Sequence, residues 1–539
     1  METHAYTSKT LDHLGLVAGM CREIELSKLI DELLPAKQDT QQVSTGKALE
    51  AMILNGLGFA NKRLYLIPKF FEDKPIDLLL GEGYVAEQFN DDRLGRALDE
   101  LYEAGVTALF TKLSQRVFTV LGYKPAQCHL DTTSMTVHGQ YNSRAEVSET
   151  ELHITQGYSK DNRPDLPQVT LQLICDHLSG IPMRMQALSG NSNDSESFRG
   201  AVSTFAEQLY TEDEVRTIVA DSKLYSKETL EVLKDSKLNW VCRVPSTLTG
   251  SKFVLDDVKV NKLTSLSIEG YSSCVYTYDY ADVDQHWVVY HSASAAKREA
   301  LTLQRKVEKE YTAATRSLKK LSGQEFHCEK DALKEFTKWS KQWKWHTAAK
   351  PVIEEVKKHT RSGRPSKDDE PDIHYLIKSS ILELNKEYYE NELFKQSLFI
   401  IATNLEIKTV KQQEELLTIY KAQHNVERGF RFIKDPSIVA SSFFVQKPQR
   451  VEALMFVMTS CLLIYAALEY RIRKLLEGNN KTVPDQKGKQ TTRPTTRWVF
   501  QLFTGIHVLT LPDGKKLILN MKEEHRDLLS LLSYWNFYS

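Results

Sequence analysis

The segment from about residue 126 to residue 244 alternates short apolar stretches with amphipathic ones, and this order limits the folds open to the chain. CHLDTTSMTV predicts one strand, and VTLQLICDHLSGIPMRMQAL predicts two strands joined by a turn at Ser179–Gly180. The segments that follow predict helix, strand, helix and strand: SESFRGAVSTFAEQLY, VRTIVADS, KETLEVLKDS and NWVCRV. The order predicts a mixed α/β sheet covered by helices.

The rest of the chain is predicted to be mainly helical, with one large interruption. The first part reads as helices, one capped by Ser44, one capped by Asn90 or Asp91, and one over 106–121. The interruption has strand-like stretches, a basic loop and two long charged helices over about 297–321 and 329–347. Two more helices are predicted, over 409–434 and 448–475.

With 539 residues, the chain is too long for one compact core. We predict five segments: a helical N-terminal domain over 1–120, the first part of the sheet domain over 121–244, an insertion over 245–400, the second part of the sheet domain over 401–475, and a C-terminal region over 476–539.

Bulk composition excludes several classes of protein. The formal net charge is −1, so any nucleic-acid contact must come from local basic patches. The seven cysteines form no CxxC pair, which argues against a zinc ribbon or a disulfide framework and fits a reducing cytoplasm. The N-terminus has no signal-peptide pattern. The longest apolar run, Ala453–Leu468, is shorter than the ~20 residues of a membrane span, so a buried helix and no membrane partner are predicted.

Two aspartates are predicted to lie at the ends of apolar strands, Asp131 in CHLDTTS and Asp221 in TIVADSK. A carboxylate at such a position is poorly solvated and costs free energy unless it is paired or bound to a metal. Taken alone, each is more simply interpreted as a turn or helix-cap residue.

A polar stripe on the predicted 409–434 helix adds a third acid. At 100° per residue, one face collects Tyr420, Gln423, Glu427, Arg431 and Lys434. A solvated face with ordinary ion pairs is the alternative interpretation. Apolar residues flank the stripe, which favours a helix packed with the stripe at the edge of a groove: Val426, Phe430 and Ile433.

This stripe resembles the signature of insertion-sequence transposases of the DDE class in the YREK group: Tyr, two residues, Arg, three residues, Glu, six residues, Lys. Tyr420, Glu427 and Lys434 match it, but Gln423 replaces the arginine and removes a charge. Other segments are similar to one subgroup of these transposases, so the resemblance runs from about residue 10 onward: GYSKDNRPDLPQ, GNSNDSESF, VADSKLYS, VERGFRFIKDP and TTRPTTRWVFQLF.

The resemblance implies an RNase H-like catalytic core with a large insertion before the glutamate helix. It implies Asp131, Asp221 and Glu427 as catalytic residues and as ligands of two Mg²⁺ ions, with Asp131 bridging both, and Mn²⁺ is expected to substitute. The partners implied are double-stranded DNA, at the element ends and at the target, and further copies of the chain in a homodimer or higher oligomer. A cytoplasmic, nucleoid-associated prokaryotic protein is expected.

Several basic residues are candidate DNA contacts. The stripe residues Tyr420, Gln423, Arg431 and Lys434 are expected to support binding near the scissile phosphate. Arg361 and Arg364 lie in a basic loop that could enter a minor groove, or that could be a solvated linker, and Arg493 and Arg497 form a second basic segment. The N-terminal helices are expected to read the element ends through Arg93 and Arg96, or Lys62 and Arg63. Trp339, Trp343 and Trp345 could stack on a base, although packing is the preferred interpretation.

Two other functions stay open at this point. One is a two-metal nuclease on the same fold without strand transfer, which the long insertion and the YREK-like spacing disfavour. The other is a DNA-binding protein that has lost catalysis, which the three acidic residues disfavour.

Overall fold

The computed structural model describes residues 6–34, 42–59, 64–137, 152–209, 217–236, 238–259, 262–358, 371–379, 381–435 and 447–539. The chain forms two compact units. The first comprises Met1–Cys242, Tyr280–Val283 and Leu416–Ser539, and the second comprises Arg243–Asp279 and Asp284–Glu415.

The first unit begins with helices, as predicted, preceded by one short strand. They are β1 (Thr7–Thr10), α1 (Leu14–Glu23), α2 (Leu26–Leu33), α3 (Thr45–Leu57), α4 (Ile67–Phe71), α5 (Ile76–Leu80), α6 (Asp91–Glu103) and α7 (Val106–Leu121), with 3₁₀ turns at Leu64–Leu66 and Ala86–Phe89. The predicted caps are confirmed: Ser44 Oγ accepts from the Lys47 amide at 3.2 Å, and Asn90 Oδ1 accepts from the Arg93 amide at 3.0 Å.

A mixed sheet follows, which confirms the predicted order of strands and helices. Its elements are β2 (Gln127–Thr136), β3 (Gln168–Asp176), β4 (Pro182–Ser189), α8 (Asp194–Leu209), β5 (Thr217–Ala220), α9 (Lys227–Asp235) and β6 (Asn239–Arg243). The strands lie in the order β4-β3-β2-β5-β6. The pairs β4–β3 and β3–β2 are antiparallel, whereas β2–β5 and β5–β6 are parallel.

Asp131 lies in the middle of β2 and not at its end, so that part of the sequence interpretation is wrong. The strand continues to Thr136 because it pairs with β3 along its whole length. Its other partner, β5, stops at Ala220 opposite Leu130. Asp131 is therefore the first residue of β2 whose β5 side is not covered by a strand pairing.

The second unit has its own strands and helices. They are α10 (Thr249–Asp257), β7 (Thr264–Ser265), β8 (Tyr271–Tyr280), β9 (Val283–Ser292), α11 (Ala293–Leu321), α12 (Glu329–Ser340), β10 (His346–Ala348), β11 (Val352–Lys358), β12 (Asp372–Ser379), β13 (Leu382–Leu384), α13 (Lys386–Gln396) and β14 (Leu398–Thr403). The strands β14-β9-β8-β7 lie side by side in that order, and β11–β12 and β10–β13 are separate antiparallel pairs.

The second long helix of this unit is shorter than predicted, and it ends at Ser340 instead of about residue 347. The Trp345 amide bonds to Glu310 Oε1 at 2.8 Å, and a strand begins at His346. Trp339 is buried in the small core of this unit, and its indole N–H donates to Ser317 Oγ at 3.1 Å, which agrees with the packing interpretation.

The helix predicted over 409–434 is broken in two, α14 (Val410–Lys421) and α15 (His424–Ile433). At the break the backbone bonds shorten to i−3, with the Gln423 amide bonded to the Tyr420 carbonyl and the Asn425 amide bonded to the Ala422 carbonyl. The prediction of one continuous polar stripe from Tyr420 to Lys434 is therefore wrong, because these two residues lie on different helices.

The remaining elements complete the first unit. They are α16 (Pro448–Gly478), β15 (Val483–Pro484), β16 (Gln490–Thr491), α17 (Thr496–Leu502), β17 (His507–Thr510), β18 (Lys516–Leu519) and α18 (Glu523–Leu532), with a 3₁₀ turn at Trp535–Phe537. The strands β1, β17 and β18 form a small antiparallel sheet.

Helix α16 is long and apolar enough to cross a membrane, but 83% of its most apolar 18-residue stretch is buried inside the protein. It packs against α1, α3, α6 and α7, and Phe110 of α7 meets Phe456 of α16 edge-on with ring centroids 6.1 Å apart. The burial agrees with the predicted core helix.

Candidate active site

The pairing register brings Asp131 and Asp221 next to each other. Leu130 of β2 pairs with Ala220 of β5 in a parallel register, so the next residue of each chain segment is an aspartate. Adjacent strands lie about 4.8 Å apart, so the two carboxylates project from neighbouring positions. Asp221 follows the last residue of β5, as predicted.

Both carboxyl groups are poorly solvated, and this changes their acidity. Burial raises the pKa of Asp131 to about 6, opposed by the positive charge of Lys160, and the negative charge of Asp221 adds to the rise. Burial likewise raises the pKa of Asp221. Each carboxylate accepts a local backbone bond, Asp131 from the Thr132 amide at 2.7 Å and Asp221 from the Lys223 amide at 2.9 Å. These bonds do not offset the burial of two adjacent negative charges.

Two lysines supply positive charge beside the aspartates. Lys160 Nζ lies 3.8 Å from Asp131 Oδ1 and donates to the carbonyl and hydroxyl oxygens of Thr132. Burial lowers the pKa of Lys223, with Lys160 lowering it further and Asp131 acting in the opposite direction. Neither lysine is among the residues predicted from the sequence, although both lie in segments that carry the family resemblance, GYSKDNRPDLPQ and VADSKLYS.

The segment before β3 holds Lys160 in place. The Lys160 amide donates to Ser134 Oγ on β2 at 2.8 Å. Gln168 Nε2 donates to the Tyr158 and Gly190 carbonyl oxygens, and Thr155 forms a bridge with Gln168. A Cβ on Gly157 would lie 2.0 Å from the Gly190 oxygen, so only a glycine allows the segment to approach this closely.

Helix α15 lies along the same part of the sheet and carries Glu427. Its apolar side joins the core that includes Leu171 and Leu173 of β3, and Asn425 Nδ2 donates to the His177 carbonyl at 2.8 Å. Seven residues span about 700°, so Glu427 and Lys434 lie about 20° apart on one edge of α15. Lys434 Nζ pairs with Asp161 Oδ1 at 2.7 Å, next to the lysine that faces Asp131.

The three predicted acids are not all brought together. Glu427 is exposed, whereas both aspartates are largely buried. Among the residues that the structure describes, no three Asp, Glu, His or Cys side chains converge closely enough to hold a metal ion. Tyr420 is half-buried at the end of α14, and Gln423 precedes α15 without capping it through its side chain.

The aspartate pair itself fits a divalent cation. Its donors are carboxylate oxygens, the ligands that Mg²⁺ prefers. Burial raises the pKa of both carboxyl groups, and a bound cation would favour their ionised forms. The two aspartates could therefore serve as ligands, and Glu427 is the third ligand that the family resemblance leads us to expect.

The predicted DNA contacts have different outcomes. Arg431 and Arg497 line one cavity, while Arg493 is largely exposed and lies 3.7 Å from a carboxylate oxygen of Glu477. Arg361, Arg364, Lys62 and Arg63 lie outside the described residues. Arg93 is buried and donates to the Val43 carbonyl and to Thr45 Oγ1, so its predicted DNA contact is wrong. Arg96 on the same helix is exposed.

Comparisons with known proteins give two family matches. The model described as "Transposase DDE domain" matches residues 127–464, and the model described as a domain of unknown function, DUF4277, matches residues 6–115. No curated protein matches the chain significantly. A similar solved structure is the piggyBac transposase synaptic complex with hairpin DNA, at 10% identity and a TM-score of 0.38, covering 97% of this chain and 85% of that one. A similarity this low adds no argument.

Proposed function

The chain belongs to the transposase DDE domain family, whose model spans more than half of its length, and from this premise we propose that it is an active transposase. It binds the terminal inverted repeats of an insertion sequence, cleaves DNA at the element ends and joins them to target DNA. Its sheet, with the two aspartates and helix α15, serves as an RNase H-like catalytic core, and copies of the chain assemble on the DNA.

One observation carries this proposal: the register of β2 against β5 places Asp131 and Asp221 side by side in a poorly solvated position. Burial of two adjacent carboxylates is unfavourable by itself, and a site of this kind is a recognised mark of function. The proposed third ligand, Glu427, lies on one edge of α15. Lys434 lies on the same edge and pairs with Asp161, the residue that follows Lys160.

The proposed cofactor is a pair of Mg²⁺ ions, which when bound activate the attacking oxygen and stabilise the leaving oxygen of an in-line phosphoryl transfer. Asp131, Asp221 and Glu427 would hold them. With water as the nucleophile the same residues support cleavage, and with a freed 3′-hydroxyl they support joining, so no covalent link between protein and DNA is needed.

The lysines have a separate part in this proposal. Lys160 and Lys223 lie beside the carboxylates and partly neutralise them in the absence of DNA and metal. A DNA phosphate at the site would give these ammonium groups a second negatively charged partner besides the carboxylates. Lys434 pairs with Asp161 at the edge of the site, where both side chains are partly exposed. A phosphate that reached this edge could replace Asp161 as the partner of Lys434.

A transposase-derived DNA-binding protein without catalysis is the second candidate, because the described residues do not gather three metal ligands. Purified protein, Mg²⁺ and DNA carrying the element's own ends separate the candidates. We expect released 3′-hydroxyl ends together with joined products. Cleavage without joining would indicate a nuclease on this fold, and binding without either product would indicate the non-catalytic protein.

A further inference from the structure

A cavity of about 370 Å³ lies beside α15, away from the aspartate pair, and arginines dominate its charge. Arg428 and Arg431 come from α15, and Arg497 comes from α17. We name these three residues the arginine cleft. The turn between β3 and β4 and the side of α16 complete its walls, through Ser179, Gly180, Tyr465 and Glu469.

The cleft keeps excess positive charge after its internal ion pairs are counted. Glu469 is buried and is shared by Arg428, at 3.3 Å, and Arg473, at 2.8 Å. Arg497 pairs with Asp435 at 3.0 Å. Arg473 does not line the cavity, so its lining holds three arginines and two carboxylates, which leaves one positive charge.

Arg431 is the residue most available to a ligand. It is exposed, and within the described part of the chain it forms no ion pair or side-chain hydrogen bond. The neighbouring Arg428 and Arg497 keep 46% and 54% of their side-chain surface exposed. Three guanidinium groups that converge on one cavity suit a ligand with several negatively charged oxygens, such as a phosphate.

The cleft is built on a fixed support. The Arg497 amide donates to the Tyr465 hydroxyl at 3.0 Å, and the Thr496 amide donates to Glu469 Oε2 at 3.0 Å. Phe432 packs on Tyr465 with ring centroids 4.4 Å apart. These contacts tie α17 and α15 to α16, so the arginines are positioned before any ligand arrives.

The geometry of α15 relates the cleft to the proposed active site. Glu427 and Arg428 are consecutive, so their side chains diverge by about 100° around the helix. Arg431, four residues after Glu427, lies only about 40° from it. A DNA strand that passes Glu427 therefore reaches Arg431 first, with Arg428 further around the helix.

We propose that the arginine cleft binds a backbone phosphate of a DNA strand, as one site apart from the carboxylate pair. Arg431 and Arg497 are DNA contacts that the sequence predicts separately, and the cavity brings them together with Arg428. This inference rests on the proposed function for the identity of the strand. Because a phosphate contact is independent of sequence, it adds affinity for any duplex and anchors the strand beside Glu427.

The test is the affinity of the full-length protein for a short fluorescent duplex of mixed sequence, measured by anisotropy over a series of salt concentrations. Arg431→Ala should weaken binding by roughly tenfold and reduce the salt-dependence slope by about 0.9. Arg431→Lys should keep the slope, because it keeps the charge, while losing part of the affinity. Asp435→Asn, which releases Arg497, should strengthen binding.

Matched controls lie on α18, where Arg526 is exposed and Asp527 pairs with Lys481 at the surface. Arg526→Ala and Asp527→Asn should change the affinity by less than about twofold, since screened surface charges act weakly at a distance. Inorganic phosphate should compete with the duplex in the wild type and less in Arg431→Ala.

The outcomes are separable. A wild type that binds duplex DNA while Arg431→Ala and Asp435→Asn match it in affinity and slope would overturn the cleft and leave the transposase proposal standing. A wild type that binds no duplex at all would overturn both. Competition by inorganic phosphate with no change in duplex binding in the variants would show an anion site without a role in DNA binding.

Discussion

Asp131 and Asp221 acquire their properties from their neighbours and not from their sequence context. Each is followed by a polar residue and could serve as an ordinary turn residue. The parallel register of β2 and β5 makes them adjacent, and burial together with their mutual repulsion raises the pKa of Asp131. The same residue that suits a metal ion is therefore unfavourable for the stability of the metal-free protein.

Asp131→Asn should stabilise the metal-free protein at neutral pH. The folded pKa of Asp131, about 6, lies above the ordinary value of 3.8. Between these values the folded state holds a proton that the unfolded state releases, so stability falls as the pH rises from about 4 to about 6. The substitution removes this loss, and we expect a gain of about 1–3 kcal/mol above pH 6 and little change below pH 4.

Urea unfolding in the presence of a chelator at pH 4 and pH 8 measures this gain. Asp527→Asn serves as the control, because it removes a surface carboxylate that pairs with a lysine. An Asp131→Asn protein that is less stable than the wild type at pH 8 would show that the lysines already compensate the buried charge.

At the scale of elements, the sequence predicts those helix boundaries that are determined by contacts between residues close together in the chain. Ser44 and Asn90 begin their helices through side-chain bonds to residues three positions ahead, and such caps are visible in the sequence. The break between α14 and α15 has no comparable signal. It accompanies a bond from Asn425 to the His177 carbonyl, 248 positions away. Helical periodicity describes only residues close together in the sequence, so it cannot predict a break that accompanies such a distant contact.

The candidate site likewise has residues whose positions the sequence predicts and residues whose positions it does not. Asp221 could be predicted because a β-branched strand ends just before it, while the place of Asp131 in mid-strand depended on how far β3 pairs with β2. The nearness of Lys160 to Asp131 could not be predicted, because the bridge of Thr155 to Gln168 and the bond of the Lys160 amide to Ser134 set it.

Gly190→Ala should disturb the segment that carries Lys160. A Cβ at this position would lie 2.1 Å from the Gln168 carbonyl oxygen and 2.4 Å from that of Thr155, and both atoms belong to the backbone. We expect a loss of about 1–3 kcal/mol in the free energy of unfolding, together with reduced DNA cleavage, because the segment must move away from β2.

Gly200→Ala is the matched control for this experiment. Gly200 lies in α8, and a Cβ there would meet nothing within 4 Å. Its replacement should stabilise the protein by about 0.5–1 kcal/mol, the usual gain for this exchange in a helix. Gly190→Ala and Gly200→Ala proteins with equal urea midpoints would refute the close packing at Gly190.

At the scale of the molecule, the N-terminal helices are part of the first unit and share its hydrophobic core. Leu49, Leu98 and Phe110 belong to the same buried cluster as residues of α16. Their predicted role in reading the element ends therefore stays a prediction that deletion cannot test cleanly, because a deletion would also expose the core.

Deletion of residues 1–115 should prevent folding of the first unit. The deletion removes most of the helices that cover α16, whose apolar surface would then face water. We expect loss of soluble, monodisperse protein by size-exclusion chromatography and loss of cooperative thermal unfolding by circular dichroism. A folded, cooperative fragment would contradict the shared core.

Arg96→Glu on the surface of α6 is the variant suited to testing end binding in a folded protein.

The central claim is that Asp131, Asp221 and Glu427 form one catalytic site, and cleavage by single variants tests it most directly. Asp131→Asn, Asp221→Asn and Glu427→Gln are compared with the wild type and with Glu524→Gln, an exposed glutamate of α18, on DNA carrying the element's ends in Mg²⁺. We predict that each of the three abolishes cleavage while binding to the ends is kept, and that Glu524→Gln cleaves like the wild type. Cleavage retained by any one of the three would contradict the assignment of that residue.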